Sequence, residues 1–321
     1  MPKSKFKWLG GVIVVGIISI NVLAFAHARA MIHFTDTSSR TQKPEDLDTF
    51  SKIKVLLTGV NIPRPDNKQN PSDIGLPFET HEYPSFDGQS LEAWYIPALN
   101  EEVLVLLFHG YAESKESLLP VVNELNELGL SVFAVDFFGS GGSTGNRTTI
   151  GYLESADVSY SFNYVKSKWP NSTVLLYGQS MGGVAILRSI ALDGVNPDAI
   201  VLESTYDMML STIKNRFVTM GIPSIPMAHL LVFWGGWQAG FNAFEHNPAD
   251  YAKSVNAPAL VLHGQLDPRV TEGQAEAVYQ QLGGWKKFSS YPLAGHKETL
   301  KSDTERWQED IKLLVENAIT Q

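Results

Sequence analysis

Cysteine is absent from all 321 positions. The chain can therefore form no disulfide, present no thiolate nucleophile, bind no Cys-ligated zinc and carry no lipid anchor on a cysteine. Charge is also sparse. Charged residues make up 18% of the chain, and 34 acidic side chains against 25 basic ones leave a formal net charge of −9. After residue 7 there is no cluster of Lys and Arg, the groups that supply most of a nucleic-acid binder's affinity, so nucleic acid is not an expected partner. No His-x-x-x-His pair or carboxylate cluster has metal-ligand spacing, so neither a metal nor an organic cofactor is expected. Repeats and low-complexity tracts are missing as well. What is present is apolar: 44% hydrophobic residues over this length can bury a sizeable core, which excludes global disorder and suits one large domain or two ordinary ones.

Much of that apolar content lies at the N-terminus. Lys3, Lys5 and Lys7 precede an uncharged run from Trp8 to Ala26. As a helix this run would cover roughly 28 Å, close to the hydrocarbon thickness of a bilayer. The lysines should stay on the cytoplasmic side, which sends the remaining chain across. Two readings stand. The run is an uncleaved membrane anchor, or it is a signal peptide cut at Ala24-Phe25-Ala26 or Ala28-Arg29-Ala30 to give a secreted or periplasmic protein. Its length exceeds the usual signal-peptide core and favours the anchor. In both readings residues 1–30 stand apart from the folded domain. Residues 31–75 are expected to be a linker and an N-terminal helix, starting near Pro44, with Leu47, Phe50, Ile53 and Leu57 on one face and Gly59 placed to stop it.

From residue 76 strands and helices alternate. Phe78–Tyr83 and Leu91–Ile96 flank the turn signal Asp87-Gly88. Val103–Phe108 is a continuous apolar run, the mark of a strand buried on both faces. Further strands are expected at Ser131–Asp136, Thr173–Tyr177, Ala199–Leu202, Ala259–Leu262 and Lys287–Tyr291, with helices between them and a last helix near Lys301–Ala318. This pattern predicts an α/β domain over 76–321, a mostly parallel sheet flanked by helices. An apolar insertion at about 204–250, rich in Met, Phe and Trp, reads as a short helical cap.

In open sheets of this kind the site lies at the carboxyl ends of the strands. Thr173–Tyr177 is followed by Gly178-Gln179-Ser180-Met181-Gly182-Gly183. A serine held between glycines at a strand-to-helix turn is a strained, exposed nucleophile, and the glycines let strand and helix approach. Serine chemistry needs a base to take the hydroxyl proton and a carboxylate to hold that base in the right tautomer. His296, in Ala294-Gly295-His296, and Asp267, in His263-Gly264-Gln265-Leu266-Asp267, follow later strands. Glu203 at the end of Ala199–Leu202 is the rival acid, or else orders the insertion. His109-Gly110-Tyr111 follows Val103–Phe108, where the amides of Tyr111 and Met181 are the natural oxyanion donors. The His109 side chain is expected to shape that loop. The glycine turn Asp136–Ser143 lacks the lysine of a phosphate-binding loop and is expected to line the serine site.

Over residues 76–318 these motifs resemble the α/β-hydrolase superfamily, and within it membrane-anchored, serine-aminopeptidase-like or lysophospholipase-like hydrolases. The resemblance implies an α/β-hydrolase fold and a catalytic triad of Ser180, Asp267 and His296, with Tyr111 and Met181 as oxyanion hole. It departs at Phe138, where the family usually has Arg before the glycine. The expected activity is cleavage of a carboxylic ester through an acyl-enzyme, with a lipid-derived ester as the preferred substrate. The expected partners are a small-molecule or lipid ester and a membrane held through the N-terminal helix. Two alternatives remain: amide or aminopeptidase hydrolysis with the same triad, and a non-catalytic membrane-anchored binding module.

Overall fold

In the computed structural model, residues 3–37, 39–42, 46–98 and 102–320 are described, with side chains from residue 8. The side chains of Lys3, Lys5 and Lys7 and the expected helix start at Pro44 lie outside the described residues. Among the described residues eight strands form one sheet: β1 (Glu79–Pro84), β2 (Ser90–Ile96), β3 (Val103–Phe108), β4 (Ser131–Val135), β5 (Thr173–Gln179), β6 (Ala199–Glu203), β7 (Ala259–Gly264) and β8 (Lys286–Tyr291). Their order is β1-β2-β4-β3-β5-β6-β7-β8. β2 runs antiparallel to β1 and β4, and the remaining neighbours are parallel. The β1–β2 connection turns at Asp87, whose φ is 52°.

Every residue of β3 is buried, as a central strand covered on both faces requires. One face carries α4 (Glu154–Lys168), α5 (Met181–Leu192) and α9 (Glu272–Gln281), whose Val158, Ile186 and Val278 join a core with Leu106, Leu176 and Val261. The other carries α3 (Leu119–Glu127) and α11 (Thr304–Ile319), where Val122 and Trp307 pack with Val105, Tyr177 and Leu260. After β3 the chain crosses to β4 on one side and later returns to β5 on the other. That reversal opens a crevice at the carboxyl ends of β3 and β5.

Between β6 and β7 the insertion forms two helices, α6 (Met209–Met220) and α7 (Met227–Ala239), before the single turn α8 (Pro248–Tyr251). At the N-terminus α1 (Lys3–Ile32) is long and apolar enough over Trp8–Ile32 to cross a membrane, and residues 8–19 are exposed. Its inner end is part of the folded unit, contrary to the expectation that residues 1–30 stand apart. Ala24, Ala28 and Ile32 are buried on one stripe, which meets α7 where a Cβ on Gly235 would lie 4.0 Å from that of Ala28. Phe25 meets Trp234 edge-on at 5.5 Å, and Gln238 Nε2 donates to the Phe25 carbonyl at 3.1 Å. Hydropathy does not reveal which side of an apolar helix meets protein; the small residues that permit close helix approach do so here. α2 (Thr49–Thr58) is shorter than expected and capped by Asp48. Its Phe50, Ile53 and Leu57 point outward, 77%, 52% and 67% exposed, while Leu47 just before it is buried.

Candidate active site

Ser180 caps α5 with φ 52° and ψ −109°, a conformation L-residues rarely adopt. Its amide donates to the Glu203 carbonyl at 2.7 Å, which ties the turn to β6. The glycines around it are required by space. A Cβ on Gly178 would lie 2.3 Å from the Gly183 nitrogen, and one on Gly182 would lie 2.3 Å from the Phe108 carbonyl oxygen. The strand, the helix and the end of β3 thus touch backbone to backbone around a half-buried serine.

His296 lies in the loop between β8 and the short helix α10 (Thr299–Ser302). Its Nδ1 sits 2.7 Å from Asp267 Oδ2, with the histidine side chain 10% exposed and the aspartate fully buried. The other carboxylate oxygen, Oδ1, accepts the amides of Arg269 at 2.8 Å and Val270 at 3.0 Å. Burial alone would raise the Asp267 carboxyl; the bond and charge of His296 and the two amides outweigh it and hold the group below its usual range. Ser180 and His296 line one small recess, together with Tyr111, Met181 and Arg216.

Met181 opens α5, where backbone amides have no intrahelical acceptor, and Tyr111 occupies the turn after β3. Both therefore border the recess from the two strands that flank the crevice. The Tyr111 hydroxyl points away and donates to the Met31 carbonyl at 2.5 Å. His109 is buried: its Nε2 accepts the Phe137 amide at 3.1 Å, which leaves the proton on Nδ1, directed at the Gly110 carbonyl at 2.8 Å. It braces this loop, as expected.

Glu203 is also buried, but it does not order the insertion. It accepts from Tyr177 Oη at 2.9 Å, Gln179 Nε2 at 2.8 Å and the Thr299 hydroxyl and amide, tying the end of β6 to the chain just after His296. The glycine turn departs from expectation as well. Asp136 forms a buried pair with Lys115, whose ammonium also reaches Glu92 at 2.6 Å, and Gly142 donates to the same aspartate at 2.8 Å. Residues 136–143 fold about this pair and do not border the recess. Phe138, at the departure from the family pattern, is buried edge-on against Phe86.

Two features escaped sequence reading. The Lys297 ammonium chelates the Glu113 carboxylate, and this pair, 184 residues apart in the chain, flanks His296. Burial would raise the Glu113 carboxyl, but the lysine beside it brings it down to about 2. Arg216 of α6 stands 5.1 Å from the Tyr111 ring centre. No sequence motif signals either contact. Beyond the recess, and sharing Tyr111, Arg216, His296 and Lys297 with it, is a cavity of about 860 Å³. Ile213, Phe217, Met220, Met227 and Leu231 form its apolar side.

A family model described as serine aminopeptidase, S33, matches residues 100–216. Protein YfhR of Escherichia coli K12 is 28% identical over 226 residues, covering 68% of this chain and 73% of that protein. Protein bem46 of Schizosaccharomyces pombe is 24% identical over 246 residues, covering 74% and 77%. Among solved structures, an esterase of Pyrococcus furiosus superposes with a TM-score of 0.67 at 22% identity, over 80% of this chain and 97% of its own. The chain has the α/β-hydrolase fold, and over residues 100–216 it is similar to the serine aminopeptidase family. The matched family and the superposing esterase are both hydrolases.

Proposed function

We propose that the protein hydrolyses carboxylic esters through an acyl-enzyme, with Ser180 as nucleophile, His296 as general base and then acid, and Asp267 holding the imidazole. One observation carries this reading. Ser180, on a strained turn, and His296, bonded through Nδ1 to a buried carboxylate, line the same recess. In the first half-reaction Ser180 Oγ attacks the ester carbonyl while its proton passes to His296 Nε2. The amides of Tyr111 and Met181 take the charge that develops on the carbonyl oxygen. Collapse of the tetrahedral intermediate breaks the acyl–oxygen bond, and the imidazolium returns the proton to the departing alkoxide. Water then gives a proton to His296 and attacks the acyl-enzyme, freeing the acid and restoring Ser180.

The cavity beyond the recess falls within the roughly 300–1,000 Å³ of ordinary ligand sites. Its aliphatic and methionine lining suits an acyl chain, so a lipid-derived ester is the preferred substrate. α1 serves as an uncleaved anchor, with the catalytic domain on the non-cytoplasmic side, as the three lysines before Trp8 dictate. Retention is supported by burial: cleavage after Ala26 or Ala30 would remove the helix that lies on α7. Exposed Phe50, Ile53 and Leu57 on α2 and Trp237 on α7 flank its inner end, where a bilayer surface would meet them.

Amide hydrolysis by the same residues is the second reading, favoured by the description of the matched family. The test measures kcat/KM for p-nitrophenyl butyrate and for aminoacyl p-nitroanilides, in the parent and in Ser180→Ala. Ester turnover should dominate and fall ~10⁴-fold or more in the variant. Faster anilide cleavage would shift the assignment to a peptidase. Turnover unaffected by the substitution would remove Ser180 from the chemistry, and inertness toward every ester and anilide would indicate a binding module.

A further inference from the structure

The large cavity is not enclosed by the hydrolase domain and its insertion alone. His27 and Met31, in the last two turns of α1, line it, as do Val55 and Leu56 of α2 on the same side. These pieces are fixed to one another and to the site. His27 Nε2 lies 2.9 Å from the Leu56 carbonyl, which joins α1 to α2. The Tyr111 hydroxyl donates to the carbonyl of Met31, which joins the end of α1 to a residue that lines the recess with Ser180. Phe34, just past α1, packs with Ile62 and Ala112 on that same loop. One continuous helix therefore presents exposed apolar side chains at Val15 and Ile18 and a cavity wall at Met31.

We propose that the inner end of α1 is a substrate-binding element: His27 and Met31 form the wall against which the acyl chain of an amphiphilic ester lies. The apolar helix then both tethers the enzyme and sets its chain-length preference. A chain leaving the acyl position at Ser180 passes Tyr111 and Arg216 into the cavity, whose lining combines His27 and Met31 of α1 with Ile213, Phe217 and Leu231. This inference rests on the ester-hydrolase reading above and adds a role for a segment outside the hydrolase domain. Its failure is separable from failure of that reading.

The test uses the full chain in detergent micelles and a long-chain alkyl fluorophosphonate bearing a diazirine at the chain end. After attachment to Ser180 and irradiation, cross-links are mapped by peptide mass spectrometry. The expected result is a cross-link within residues 24–32. In parallel, Met31→Trp should lower the ratio of kcat/KM for p-nitrophenyl dodecanoate over acetate at least tenfold. Val15→Trp, on the exposed half of the same helix, should leave that ratio as in the parent. Attachment at Ser180 with cross-links only to α6, α7 or solvent, and a ratio within twofold of the parent in Met31→Trp, would overturn the proposal. If Met31→Trp does not fold, the cross-link map of the parent decides alone. Absence of any Ser180 adduct would instead defeat the nucleophile assignment, and this proposal with it.

Discussion

Asp267 carries three donors on two oxygens, His296 on one and two backbone amides on the other, so its orientation is fixed from both sides. Asp267→Asn keeps the shape but offers an amide to one of its donors, and it no longer selects the imidazole tautomer with a free Nε2. Its kcat on p-nitrophenyl butyrate should fall ~10³–10⁴-fold with near-native circular dichroism; a loss below tenfold would show that the carboxylate does not orient His296. Asp157 is a second buried acid, of opposite sign. It accepts from Ser85 Oγ at 2.6 Å and the Phe138 amide at 3.0 Å, but burial outweighs both bonds and pushes its carboxyl up to about 8. The folded form therefore holds this proton between about pH 4 and pH 8, where the unfolded chain has released it. Through this group stability declines as pH rises across that window, by at most ~1.4 kcal/mol per unit. Asp157→Asn should make the slope of Tm against pH, from 5 to 8, less negative than in the parent. Equal slopes would show that Asp157 is ionised in the folded protein.

The elements that carry the site depend on close backbone contact. In Gly182→Ala the new Cβ meets the Phe108 carbonyl, and neither β3 nor α5 has room to yield. The variant should lose about 1–3 kcal/mol or more in urea titrations, with a larger loss of activity because Met181 shifts with the helix. Gly273→Ala in α9, where nothing lies within 4 Å of the added carbon, should be near neutral. Contacts of this local kind are what the sequence displays. The strand at Val103–Phe108 was legible to the residue because a strand buried on both faces is apolar throughout. The serine turn was legible because its glycines answer a steric demand within six residues. Positions 267 and 296 were legible as strand-end residues, and the carboxylate–imidazole pairing expected of them is the 2.7 Å contact between their side chains. Contacts that depend on which distant segments meet left no trace. Glu113 and Lys297 are each ordinary loop charges, and the Lys115–Asp136 pair turned what read as a site-lining glycine loop into a structural knot. The outward face of α2 shares this cause: periodicity gives a stripe, but not what covers it.

At the scale of the whole molecule the apolar helix and the hydrolase domain form one body. A chain beginning at residue 31 would uncover Ala228, Leu231 and Val232 of α7 and leave Met31, whose carbonyl accepts from Tyr111, without the helix that positions it. Relative to the full chain in the same detergent, such a truncation should melt at lower temperature and aggregate once detergent is removed. Equal melting of the two forms would mean that α1 adds nothing to the fold. The convergence of Ser180, His296 and Asp267 is tested most directly by covalent capture. The full chain is treated with a fluorophosphonate, and the adduct is located by peptide mass spectrometry in the parent, Ser180→Ala and His296→Ala. A single adduct on Ser180, lost in the first variant and formed at least ~100-fold more slowly in the second, is the expected result. An adduct that persists in Ser180→Ala, or forms at the parent's rate in His296→Ala, would contradict it.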